Sequence, residues 1–259
     1  MRKITINLAA VAAFCIVVAS PALVSSSCAT PKTEQEDTTI IREDSGITAL
    51  KYSSPEVPAS IEFCGKTIDL SRFDRHERMD RELLAFTYMH STSLQMLKKA
   101  NRYFPIVEPI LKENGIPDDF KYLMVIESNM NPTARSSAGA AGLWQFMQGT
   151  GRDYGLEVNN NVDERYHIEK ATRAACRYLK DAYAKYKDWV AVAASYNAGQ
   201  ARIASQLAKQ DVDDSLDLQL VEETARYVYR ILAAKQLFSA PTTCLLYTSP
   251  SPRDKRQSR

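Results

Sequence analysis

From about Asp74 onward, apolar residues recur at helical rather than alternating spacing. Met79 to Ala100 carries recurring Leu and Met with few breakers and predicts one long helix. Pro105 to Lys112 predicts a shorter one, closed by Asn114-Gly115. Ile116-Pro117-Asp118 then reopens a helix with Asp118 as its N-cap. Gly142 to Arg152 is a further segment, glycine-rich at both ends. Asp163 to Lys187 is a long one, with Ile168, Ala171, Ala175, Tyr178, Ala182 and Tyr186 sharing a face. Trp189 to Asn197, Gln200 to Lys209 and Glu222 to Phe238 complete the set. Upstream, Ile61 to Leu70 alternates apolar and polar residues about Gly65-Lys66 and predicts a short hairpin. No other run alternates long enough for a sheet. The expected fold class is all-α, a single helical domain with an N-terminal β-hairpin and, at about 170 residues, room for a proper core.

Both ends of the chain read as something other than fold. Arg2 and Lys3 precede an uncharged apolar run from Leu8 to Val18, and small residues follow, the order of a secretory signal over residues 1–28. Cys28 closes that stretch, which leaves two fates open, a soluble periplasmic protein or an outer-membrane lipoprotein attached through lipidated Cys28. Residues 29–60 are polar and rich in Pro, Ser, Thr and acidic side chains, as in a flexible tether. Residues 61–74 lead in to the main domain at 75–243. Cys244 to Asp254 reads as a translated sequencing adapter, so 244–259 is expected to be non-native and the domain truncated at its C-terminal side.

These assignments change the charge. Of 33 Lys and Arg, two fall in the leader and four in the tail; of 31 Asp and Glu, one falls in the tail. The remainder is near −3 rather than +2, with no basic excess to suggest nucleic acid. Cys64 and Cys176 remain in a compartment that permits disulfides, and a bridge between them is one hypothesis. The histidines His76, His90 and His167 are scattered without a third ligand nearby, so no metal and no cofactor is expected.

The helix opening at Asp118 holds an unusual residue. Phe120, Leu123 and Met124 form an apolar stripe, and Glu127 falls on it where a leucine would be expected. A carboxylate withdrawn from water either finds a partner or has its pKa raised. The first outcome is a structural Glu paired with an arginine; the second is a group that can act as a general acid. Periodicity alone favours the first.

The sequence around Glu127 shifts that balance. Glu127-Ser128-Asn129-Met130-Asn131-Pro132-Thr133-Ala134-Arg135-Ser136-Ser137-Ala138-Gly139-Ala140-Ala141-Gly142-Leu143-Trp144-Gln145-Phe146-Met147 closely resembles the central motif of lytic transglycosylases with the goose-type-lysozyme-like fold. Ala194-Ser195-Tyr196-Asn197-Ala198-Gly199 resembles their second signature and Glu223-Thr224-Ala225-Arg226-Tyr227-Val228 their third. The lead-in from Arg102 to Pro117 looks most like the membrane-bound type D subgroup, and the resemblance spans about residues 75–240. It implies a single catalytic acid/base, Glu127, acting on peptidoglycan glycan strands. In that chemistry the carboxyl protonates the oxygen between N-acetylmuramic acid and N-acetylglucosamine, then takes the proton of the muramoyl 6-hydroxyl, which closes a 1,6-anhydro ring.

By the same resemblance Ser136 and Gln145 line a sugar groove, with Met147 as its apolar floor or as plain core. Tyr196 sits beside the carboxylate, Asn197 contacts an acetamido group and Tyr227 completes the substrate-binding set, although a packing role for Tyr227 fits nearly as well. Tight turns and plain core are the competing roles for Gly142 and Phe146. The chain is expected to act as a monomer in the periplasm. Two readings stay open beside this one. A hydrolytic muramidase on the same fold needs a second carboxylate, for which Asp153, Glu157, Asp163, Glu164 and Glu223 are the candidates. A non-catalytic wall-binding lipoprotein needs neither.

Overall fold

The computed structural model describes residues 54–210, 212 and 214–245. The leader, Cys28, most of the tether and residues 246–259 lie outside that set. Strands β1 (Ser60–Phe63) and β2 (Lys66–Asp69) pair antiparallel, Ile61 opposite Ile68, and close through Cys64 and Gly65. Both turn residues have positive φ, 54° and 82°, as the right-handed twist of a two-residue hairpin requires. Phe63, Ile68 and Leu70 are buried, so the ribbon lies on the core by one face. The chain just before it is already packed, with Pro55 buried and Val57 against the core.

Among the described residues the rest is helical: α1 (Phe73–Tyr88), α2 (His90–Glu113), α3 (Phe120–Ser128), α4 (Gln148–Asp153), α5 (Ile168–Tyr186), α6 (Trp189–Ala198), α7 (Gln200–Lys209), α8 (Glu222–Ser239) and α9 (Pro241–Cys244). The expected break after Ala100 is absent, and α2 runs unbroken through Pro105 and Pro109. The two prolines are four residues apart on the exposed face, so the carbonyls they strip of partners, Asn101 and Pro105, sit at exposed positions. The break falls instead at Met89. Asp118 is not the cap of α3; it pairs with Lys121, and the helix opens after a turn in which Phe120 donates to the Pro117 carbonyl.

Two helices have no solvent face. In α3 Phe120, Tyr122 through Ile126 and Ser128 are all buried, and in α6 every residue from Val190 to Ser195 is. Such all-round burial marks the centre of a helical domain. Asp188 caps α6 through the Val190 N–H, 2.9 Å away. The long C-terminal helix α8 packs against this centre and is fixed from several sides. Arg226 pairs with the buried Glu82 of α1 at 2.6 Å, and Lys235 reaches both Asp119 at 2.7 Å and the Glu62 carbonyl of β1. Ahead of α8, Asp214 and Asp217 bind the buried Arg75 at 2.7 and 3.0 Å.

The helix expected over Gly142 to Arg152 begins only at Gln148. Residues 141–146 fold back on themselves, Ala141 donating to the Phe146 carbonyl at 3.0 Å. A buried arginine from the turn before α5 holds this loop: Arg165 pairs with Asp163 and donates to the carbonyls of Gly139 and Phe146 at 2.8 and 2.9 Å. Gly142 has φ +79°, and a Cβ there would stand 1.9 Å from the Arg165 carbonyl oxygen. Trp144, fully buried, anchors the loop tip by donating to Thr172 of α5 at 2.9 Å.

The hypothesis of a Cys64–Cys176 bridge is not upheld, since both thiols are free. Cys64 turns the hairpin with its N–H on Asp119, whereas Cys176 is buried where α5 meets α2, its sulfur 4.0 Å from the Ile110 carbonyl. Cys244 is buried at the end of α9, and its carbonyl accepts from Thr87 at 2.6 Å.

The loop packing separates two glycines of equal sequence prominence. Gly142→Ala is expected to cost about 3 kcal/mol or more, because backbone must move as well as adopt a strained φ. Gly139→Ala, with nothing within 4 Å of its added Cβ, is expected to cost only about 1 kcal/mol, the left-handed backbone alone. Urea unfolding of both variants checks the difference; equal losses would contradict the packing described.

Candidate active site

Glu127 lies in the last turn of α3, and the chain reverses sharply just beyond it. Asn129 and Met130 take positive φ of 49° and 59° in succession, an uncommon conformation for side-chain-bearing residues. That reversal ends the helix one residue after Glu127 and sends the chain into the 131–147 loop. The carboxyl is drawn away from water, and this loss of hydration pushes its pKa up to about 7. The Tyr227 hydroxyl, donating to Oε1 from α8, pulls in the opposite direction, as does the charge of Arg230, while Glu223 pushes further up.

Tyr227 is buried and Tyr196 partly so, and burial together with the Glu127 charge raises both phenols well above their ordinary range. They therefore stay protonated and act as donors. Tyr196 directs its O–H to the Trp144 carbonyl at 2.7 Å, so its proton is committed to the loop and not to the carboxylate. Tyr178 stands edge-on to Tyr196 with ring centroids 5.1 Å apart and donates to the Ser195 carbonyl at 3.0 Å. Phe146, buried, closes the other side of Tyr196 at 6.2 Å.

A pocket of about 300 Å³ opens beside this group, lined by Gln145, Phe146, Met147, Thr150, Tyr178, Tyr196, Asn197, Ala198 and Gly199. Four residues expected from sequence thus share one wall: Gln145, Met147, Tyr196 and Asn197. Gln145 has positive φ of 48°, and its side-chain N–H groups are taken by the Gly142 and Ala134 carbonyls at 2.8 and 3.2 Å. Its Oε1 is the atom left to accept from a ligand. Asn197 has the mirror arrangement, its Oδ1 accepting from Thr224 at 2.9 Å and its N–H groups left as donors. Met147 is half exposed and offers an apolar edge.

Ser136 is not among the residues lining that pocket. Its hydroxyl accepts from the Ala140 N–H at 3.0 Å and its carbonyl from Gly139, so here it shapes a turn. Of the acids between the motifs, Asp163 is paired with Arg165, Glu164 with Lys170, and Glu157 accepts from Asn159. The carboxylate whose charge reaches Glu127 is Glu223, exposed on α8. Sequence reading missed Arg165, Arg230, Thr224 and Tyr178. An arginine three residues ahead of an apolar stripe and a cation one turn beyond Tyr227 were visible, but neither spacing names its partner.

Comparison with known proteins bears on the same stretch. Residues 105–217 match the model of the transglycosylase SLT domain. The chain is 30% identical over 166 residues to membrane-bound lytic murein transglycosylase D of Escherichia coli (strain K12), covering 62% of this chain and 36% of that protein. It is 31% identical over 123 residues to peptidoglycan transglycosylase gp16 of Escherichia phage T7, covering 46% of this chain and 9% of that protein. A solved structure of an inactive mutant of lytic transglycosylase Slt from Pseudomonas aeruginosa aligns with a TM-score of 0.46 at 21% identity, over 56% of this chain and 25% of that one. The chain spans little more than a third of the length of the Escherichia coli relative. The matched residues 105–217 carry Glu127, the 131–147 loop, Tyr196 and Asn197.

Proposed function

We propose that the protein is a peptidoglycan lytic transglycosylase of the cell envelope with Glu127 as its single acid/base. The observation that carries this reading is a carboxyl withdrawn from water, its pKa raised to about 7, that accepts from a buried phenol and whose charge reaches Tyr196 on the pocket wall. At neutral pH such a group is populated in both forms, and the reaction uses both. The acid form protonates the glycosidic oxygen as the bond to the muramoyl anomeric carbon breaks. The resulting carboxylate accepts the proton of the 6-hydroxyl as that oxygen bonds to the same carbon. A second carboxylate and a water are not needed, in contrast to ordinary glycoside hydrolysis.

In this reading Asn197 donates to an acetamido carbonyl, Gln145 Oε1 accepts a sugar hydroxyl or amide N–H, and Met147 packs on a sugar face. Tyr196 shapes the pocket floor, Tyr227 holds the carboxyl, and the Ser136 hydroxyl retains one proton to offer a strand crossing the loop. The substrate is the glycan strand; attachment to a membrane would come through Cys28. Among the described residues no helix is long and apolar enough to cross one.

Digestion of purified peptidoglycan followed by mass spectrometry of the muropeptides tests the reaction. Products lighter by one water than reducing-end muropeptides are expected. Reducing ends would instead support hydrolysis, with Glu223 the first acid to suspect. Glu127→Gln is expected to lower turnover at least about 10³-fold while wall binding is kept; undiminished cleavage would remove Glu127 from the chemistry.

The raised pKa also fixes two pH dependences. kcat/KM is expected to fall about tenfold per pH unit above about 7 as the acid form is lost. For stability, the folded protein holds this proton more tightly than the unfolded chain. The stabilisation is complete below about 4.5 and is lost as pH rises through about 7. The Glu127→Gln variant escapes that loss, so it is expected to exceed the parent by about 1–3 kcal/mol at pH 8 and to match it at pH 4. Urea unfolding at the two pH values checks this, and a variant weaker at pH 8 would count against the desolvation described.

A further inference from the structure

One catalytic carboxylate must exist in two charge states at the same withdrawn site. The acid form is favoured by loss of water, but the carboxylate form needs support once its proton has left. Direct support is sparse. Tyr227 supplies one hydrogen bond, to Oε1, and the Tyr196 proton is spent on the Trp144 carbonyl.

Helix α8 presents more than Tyr227 to α3. Glu223 stands four residues before Tyr227 and Arg230 three after it, spacings that put all three on one stripe of the helix. An acid and a base thus flank the phenol, one turn to either side, and α8 packs directly on α3. Arg230 is partly buried, and among the described residues it forms no ion pair, unlike its neighbour Arg226, which is bound to Glu82. Its guanidinium nitrogens are not among the buried atoms left without a partner, so it keeps contact with water while its charge acts on Glu127 from the α8 stripe that carries Tyr227.

We infer that Arg230 is a positioning residue for Glu127, its guanidinium holding the carboxylate in place through the half of the cycle in which the proton is gone. This rests on Glu127 being the acid/base. Arg230 does not touch the reacting atoms; it sets how readily the carboxylate forms and stays aligned for the 6-hydroxyl. The groups whose charge acts on Glu127, or that feel its charge, are Tyr227, Arg230 and Glu223 from α8 and Tyr196 from α6. The signs of the two charged neighbours are opposite, Arg230 favouring the carboxylate and Glu223 the acid.

Opposite signs make the idea testable. The Glu127 titration is followed by carboxyl ¹³C NMR on the full chain without substrate, alongside the pH profile of peptidoglycan cleavage. Arg230→Gln is expected to move the titration and the alkaline limb of the profile upward by about half to one pH unit. Arg230→Lys keeps the charge and is expected to leave both nearly in place, and Glu223→Gln is expected to move both downward. Arg230→Met provides a second neutral side chain where Arg230→Gln does not fold. A titration unmoved or lowered in the neutral variants would overturn the inference, as would equal shifts in Arg230→Gln and Arg230→Lys, which mark a steric role. Cleavage surviving in Glu127→Gln would instead overturn the acid/base reading beneath it, and that result is read separately from the substrate-free titration.

Discussion

The hydrogen bond from Tyr227 to Glu127 spans two helices, and much of the architecture is arranged to make it. A carboxyl largely withdrawn from solvent has little water to turn to, so its partners are mostly supplied by neighbours. α8 supplies them, and α8 is therefore fixed at several points along its length. Arg226 ties it to α1 and Lys235 ties it to the start of α3 and to the hairpin, while Arg75 anchors the segment that leads into it. Several of these contacts join charged groups that are themselves partly or wholly buried. Breaking one leaves an unpaired charge inside, which costs more than an exposed pair contributes.

A second constraint shapes the pocket wall. The 131–147 loop has little regular structure, yet it must carry Gln145 and Met147 at defined places. It is held largely through its carbonyls, with the buried Trp144 side chain as a further anchor on Thr172. Arg165 collects those of Gly139 and Phe146, Gln145 those of Ala134 and Gly142, and Tyr196 that of Trp144. Residues with left-handed backbone, Asn129, Met130 and Gln145, cluster in this same region. Strain of this kind persists where the surroundings over-determine the backbone, and it is commonly found beside functional sites.

How much of this was legible follows from what sequence patterns can report. Spacing shows which face of an element is apolar, so the hairpin and most helices were readable, as was the anomaly of Glu127 on its stripe. Spacing does not report how a face is covered. Pro105 and Pro109 looked like a boundary, but their four-residue separation puts both on the exposed side, where the helix tolerates them. Gly142 to Phe146 looked like helix because its apolar residues are buried; they are buried by a folded loop around Arg165 instead. Two free cysteines invited a bridge that three-dimensional separation into different packing layers denies. Ser136 carried the motif's hydroxyl but not its expected position on the pocket, because a turn uses that oxygen.

The matched family segment and the working unit do not coincide. The match ends at residue 217, before α8 begins, yet the groups that tune Glu127 lie on that helix. The segment holds the carboxyl and the pocket wall; the helix beyond it provides the donor and both flanking charges. In the proposed chemistry, a residue that is acid and then base gains from having these influences on one rigid element. Moving α8 slightly would change the Tyr227 contact and both charges together, and so alter the balance between the two forms without altering the pocket. For the proposed proton transfers, the docking of α8 by Arg226 and Lys235 therefore matters alongside Glu127 itself.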